Sequence, residues 1–128
     1  MLTNTQKRTQ AKRIKRLCRR WLRALGLEQW QLSFDLADEH PLKGHHDNAI
    51  AYCSAQWEYM QATIVFSPKI VDLDDSKLEY VFLHELTHAM INEMRDWDDR
   101  DTDAAMRHEE RVVTLVSSAL QRARNGVA

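Results

Sequence analysis

The 128-residue sequence predicts a single α+β domain: an N-terminal helix, a small three-stranded and mostly antiparallel sheet, then two further helices. Three observations carry this. Residues 14–25 hold an apolar stripe at helical period, residues 30–37 alternate apolar and polar side chains, and two long helical-period stretches follow residue 75. A composition of 44% hydrophobic and 29% charged residues excludes a disordered chain, and no apolar run is long enough to cross a bilayer. The start, Met1 to Arg8, lacks the apolar stretch of a signal peptide, so a cytosolic protein is expected. Cys18 and Cys53 have no C-x-x-C spacing and read as small half-buried hydrophobes.

In the first helix, Ile14, Leu17, Cys18, Trp21, Leu22 and Leu25 share one face, and Gly26 supplies a stop. Residues 1–24 also carry nine Lys and Arg and no acid, a charge of +9 set against −10 for the rest of the chain. The basic amphipathic helix over about 7–25 is therefore either a solvated face or a surface that meets phosphates or an acidic partner.

The first strand follows at 30–37, with Trp30, Leu32, Phe34 and Leu36 on its apolar face. A polar loop holding Pro41 and Gly44 separates it from a second strand at 49–57. A short connection at Glu58-Tyr59-Met60 leads into a third strand at 61–66, which suggests an antiparallel pair, either member of which is a candidate edge. Ser67-Pro68 ends that strand. Ser76 and Glu79 have the spacing of a capping box opening a helix to about Arg95, and a last helix runs from about Ala104 to Arg124. Between them, residues 96–103 hold five Asp, read as a solvated acidic turn without the glycine and closing Glu of a calcium loop. His40, His45, His46 and Asp47 lie in the polar loop without i, i+4 spacing, so they too read as solvated.

His84-Glu85-Leu86-Thr87-His88 forms an H-E-x-x-H motif inside the first of the two C-terminal helices. Two imidazoles at i and i+4 share a helical face and converge on one ion, while Glu85 between them reaches a water on that ion. Zn2+ is the expected metal, because it takes imidazole nitrogen and keeps an open position in catalytic sites. A third ligand is needed. In His108-Glu109-Glu110, counting Val112, Val113, Val116, Ala119 and Leu120 as buried centres the apolar face about 20° from Glu109. Glu109 is thus the expected third ligand, with Glu110 and His108 as flanking alternatives, since a carboxylate on a buried face needs an ion or a metal beside it. Tyr52, Tyr59 and His108 are candidate donors to an oxyanion.

The HELTH helix, with a Glu-Glu-Arg-Val-Val helix about twenty residues on, resembles the small gluzincin-type zinc metallopeptidases of phage and prophage genomes. These are the minigluzincins and, more distantly, the ImmA/IrrE-type peptidases. The resemblance covers about residues 14–121 and implies a zincin-like fold in which the C-terminal helix carries the third ligand. It implies His84, His88 and Glu109 on zinc, with Glu85 as general base in peptide-bond hydrolysis. Larger gluzincins carry Glu-x-x-x-Asp, and Val113 stands at that Asp position. A carboxylate that orients an imidazole must therefore come from elsewhere, such as residues 96–103. The alternative to a peptidase is an inactive zincin scaffold that binds nucleic acid or protein through its basic helix.

Overall fold

A computed structural model describes residues 1–45, 48–98 and 103–125, with the side chains of 93–98 and 103 outside that description. The chain forms α1 (Asn4–Ala24), β1 (Gln31–Leu36), β2 (Ala51–Gln56), β3 (Gln61–Phe66), α2 (Asp75–Asp98) and α3 (Asp103–Arg124). Short 3-10 turns at Trp57–Tyr59 and Pro68–Asp72 flank β3.

Helix α1 begins at a capping box the apolar pattern does not reveal: Thr3 Oγ1 accepts from Gln6 N, and Gln6 Oε1 accepts from Thr3 N. It ends before Gly26, whose φ of +68° suits a residue without a Cβ. The expected capping box of α2 is not formed. Asp74 caps that helix instead, accepting from Lys77 N at 2.8 Å, and Glu79 turns inward.

The sheet order is β1-β3-β2. The expected antiparallel pairing of β2 with β3 is present, with Ala51 opposite Phe66 and Gln56 opposite Gln61. The expectation of a mostly antiparallel sheet is corrected by β1, which runs parallel to β3, so the sheet is mixed. The physical reason is the loop after β1, long enough to carry the chain past the central position before β2 starts.

One face of this sheet is polar: Ser33 and Thr63 are hydrogen-bonded at 2.8 Å, and Gln61 donates to Gln31 at 3.1 Å. The other face supplies Ile64 and Phe66 to a core completed by Ile14, Leu17 and Trp21 of α1 and Phe82, Leu83 and Leu86 of α2. Each such side chain contributes about 1.5–3 kcal/mol by leaving water. Helix α3 lies antiparallel to α2. Gln121 Nε2 donates to Ser76 O at 2.6 Å near one end, and the buried hydroxyls of Thr87 and Ser117 meet at 3.3 Å further along.

Buried Glu79 ties the three helices together. Its Oε2 accepts from Trp21 Nε1 at 3.1 Å, Arg20 Nη1 at 3.2 Å and Arg124 Nε at 3.0 Å. The carboxylate is tolerated in the interior because two cations and an indole replace its water. Among the described residues no helix is long and apolar enough to cross a membrane.

Candidate metal centre

His84 and His88 stand one turn apart on α2, their ring centroids 5.0 Å apart and their planes at 70°. Helix α3 brings a carboxylate to both. Glu110 Oε2 lies 3.1 Å from His84 Nε2, and Glu110 Oε1 lies 2.8 Å from His88 Nε2. One ligand atom from each of the three residues falls within 4.8 Å of the others. Tetrahedral zinc with ligands at about 2.0–2.1 Å requires donor separations of roughly 3.3 Å, and the two Glu110 contacts, made by different oxygens at 3.1 and 2.8 Å, are shorter than that spacing by at most about half an ångström.

Glu109, the third ligand expected from the sequence, sits elsewhere: its Oε2 is 2.7 Å from His88 Nδ1, on the far side of the ring from Glu110. The difference comes from which side of α3 is buried. Val113 and Ser117 are fully buried, whereas Val112, Leu115 and Val116 are exposed. Burying a serine and exposing two of the valines rotates the inward face by about 65° from the one that apolarity alone indicates. Glu109 and Glu110 then flank that face, one reaching Nδ1 and the other Nε2. His108 is exposed. Val113 packs in the interior, and Glu109 places a carboxylate against His88 Nδ1; the expected contribution of residues 96–103 falls on side chains outside the described residues.

The arrangement fits a divalent cation. His88 has a carboxylate against each ring nitrogen, and both contacts are hydrogen bonds only when the ring is an imidazolium. A cation in place of the Nε2 proton satisfies Nε2 and Glu110 together and leaves the Nδ1 proton on Glu109. Burial is the main cause lowering the His84 pKa, with His88 acting in the same direction against Glu110; this favours the neutral imidazole that ligates metals. His84 Nδ1 is buried without a hydrogen-bond partner among the described residues. Two imidazoles and one carboxylate form a common three-ligand set for catalytic zinc.

Glu85 is 8% exposed, and burial, reinforced by the Glu110 charge, pushes its carboxyl up to about 8. It lines both of the cavities that meet at the histidines. One, of about 520 Å³, is walled by Ile50, Ala51, Tyr80 and Val81; the other, of about 340 Å³, by His45, Tyr52, Ala55 and Asn92.

Strand β2 borders the site as an outer strand of the sheet. Ser67 N donates to Ile50 O, which fixes the ladder phase so that the amides of Ala51 and Ala55 point away from β3, toward the outer side.

Of the candidate oxyanion donors, Tyr52 lines the smaller cavity and stacks on His45 at 4.0 Å, while Tyr59 is 68% exposed on a turn. Tyr80, whose ring lies 6.1 Å from that of His84, escaped the sequence reading because it resembles any apolar-face residue of the helix. Of the described loop histidines, His40 Nδ1 lies 2.8 Å from Ser67 Oγ and His45 stacks on Tyr52, while His46 and Asp47 lie outside the described residues. Comparison of the chain with family models, curated proteins and solved structures finds no match in any of the three.

Proposed function

We propose that this chain is a zinc-dependent peptidase whose ligands are His84, His88 and Glu110, with Glu109 orienting His88 and Glu85 handling the proton. The observation that carries the reading is the convergence of Glu110 on both Nε2 atoms, beside a buried Glu85 and an outer strand.

Zinc in this position supplies Lewis-acid polarisation of a carbonyl and a water whose pKa is lowered to about 7. The chain's own residues do the rest. The outward amides of Ala51 and Ala55 hold an extended peptide by strand addition, which fixes its backbone across the histidines. Ile50, Ala51 and Val81 give the larger cavity an apolar wall suited to an apolar side chain. With a divalent cation at the histidines to offset the burial and the Glu110 charge that raise its carboxyl, the ionised Glu85 accepts a proton from the attacking water and returns it to the departing amine.

The test is metal content by mass spectrometry after mild dialysis, followed by peptide-library cleavage by wild type and Glu85→Gln. About one zinc per chain, with hydrolysis lost in Glu85→Gln while zinc stays, supports the reading. A metal-free wild type whose stability ignores added zinc overturns it.

A further inference from the structure

We propose that the exposed face of α1, together with the arginine-lined cleft at its side, binds the phosphodiester backbone of a nucleic acid. This is independent of the metal centre.

Helix α1 divides its cations between two tasks. Among the described residues its ion pairs involve Lys7 with Asp38, Arg13 with Asp75 and Arg20 with Glu79, all reaching into the domain. Arg8, Lys12, Lys15, Arg16, Arg19 and Arg23 are exposed and make no such pair among the described residues. They recur at i, i+4, i+7, i+8, i+11 and i+15, a stripe about 22 Å long with a cation at nearly every turn.

Such a helix repels itself. Arg8 and Lys12, Lys12 and Arg16, Lys15 and Arg19, and Arg19 and Arg23 are like charges at i, i+4, each unfavourable by about 0.2–0.5 kcal/mol, with no acid anywhere in the helix to offset them. The first turn also lacks the acidic residue that the helix dipole favours. A polyanion lying along the stripe relieves each of these repulsions.

Beside the stripe is a cleft of about 290 Å³ lined by Arg13, Arg16, Arg20 and Arg124, with Asp75 and Glu79 as its acids. Both acids are already engaged, Asp75 by Arg13 and Glu79 by Arg20 and Arg124, so the lining keeps two positive charges in excess. The Glu79 contacts use Nη1 of Arg20 and Nε of Arg124, so these two guanidiniums are pinned with further N–H groups to offer. Forked guanidinium donors match phosphate oxygens in pairs, and the cleft volume accepts a phosphate with its sugar.

The choice of nucleic acid over an acidic protein rests on what the stripe lacks. No large hydrophobic side chain of α1 is exposed, whereas a protein partner is met by an apolar centre with a polar rim. Purely cationic recognition along a regular track is the footprint of phosphate backbone contact, read without sequence preference.

The experiment is fluorescence anisotropy of a labelled 20-base-pair duplex and of its single strand, titrated with the full chain in a potassium chloride series. For about five neutralised phosphates, log K falls against log salt with a slope of roughly −4 to −5 on the duplex. Arg16→Gln with Arg19→Gln, both exposed, reduces that slope by about 2 and weakens binding at least tenfold at low salt, while the far-ultraviolet circular dichroism stays unchanged. Lys43→Gln, the same type of change at an exposed lysine outside α1 and the cleft, leaves binding as it was.

Three results overturn the proposal. They are no salt-dependent binding to either probe, indifference of binding to the double variant, and displacement of the duplex by polyglutamate of equal charge, which marks an acidic-polypeptide surface instead.

Discussion

Glu109 Oε2 and His88 Nδ1 are 2.7 Å apart, while Glu110 of the same helix turn holds the opposite nitrogen of the same ring at 2.8 Å. Two consecutive carboxylates thus grip one imidazole from both sides. They are inequivalent: Glu109 has 12% of its side chain exposed and Glu110 has 55%. The buried partner fixes the ring, and the exposed one faces the cavities.

Consecutive Glu→Gln substitutions separate the two roles. Glu110→Gln leaves the protein without retained zinc after dialysis. Glu109→Gln still holds about one zinc per chain, but about 10- to 100-fold more weakly in a chelator competition, the typical consequence of removing a carboxylate behind a ligating histidine. The reverse ranking would make Glu109 the ligand and overturn the assignment drawn from the geometry.

Glu85→Gln preserves both the metal and the fold, since glutamine has the same volume in a site that is 8% exposed. Peptide hydrolysis falls by about 100-fold or more, in line with the loss of a positioned proton acceptor. Full activity in a variant free of wild-type contamination removes Glu85 from the chemistry.

Glu79→Ala destabilises the protein by on the order of 2–4 kcal/mol in urea unfolding, because two arginines and the Trp21 indole lose their shared acceptor. Arg20→Ala costs less, since Arg20 is 39% exposed and water replaces its contact. Equal stability of wild type and Glu79→Ala would show that the three-helix junction contributes nothing net.

Burial pushes the Cys18 thiol from its ordinary 9.0 up to about 11, against a smaller lowering by a backbone hydrogen bond. At pH 8 the native protein therefore alkylates at Cys18 about 100-fold more slowly than the unfolded chain, because the thiolate is the reactive form. The same shift sets a direction for stability. The folded state keeps its proton where the unfolded state loses it, so this contribution is constant below pH 9 and declines as pH rises toward 11. Peptide mapping after timed iodoacetamide exposure checks the first effect; alkylation as fast as in urea would refute it.

What the sequence discloses and what it conceals follow from distance along the chain. The apolar stripe of α1, the alternation of β1 and the i, i+4 histidines of α2 are local patterns, and each element forms within a few residues of its expected limits. Strand order is nonlocal: nothing within 31–36 says that its partner is 61–66 rather than the nearer 51–56. Glu79 has the spacing of a capping residue, yet the groups that draw it inward lie 59 and 45 residues away, on Arg20 and Arg124. On α3, apolarity was a poor guide to burial. Ser117 is buried because its hydroxyl meets that of Thr87, while Val112 and Val116 stay outside.

The central place of β3 governs how the molecule can be assembled as it is synthesised. Strands β1 and β2 emerge from the ribosome first and share no ladder; both take their partner from a strand made after them. Until residue 66 has been added, two unsatisfied strands wait beside a basic helix, with no neighbour to shield their amides. Arrival of β3 closes both ladders in succession, the short β2–β3 turn first and the long-range β1 pairing after it. A chain held with β2 already out of the ribosome and β3 still to come therefore exposes two sticky strands and no sheet, the stage at which chaperone capture competes most directly with aggregation.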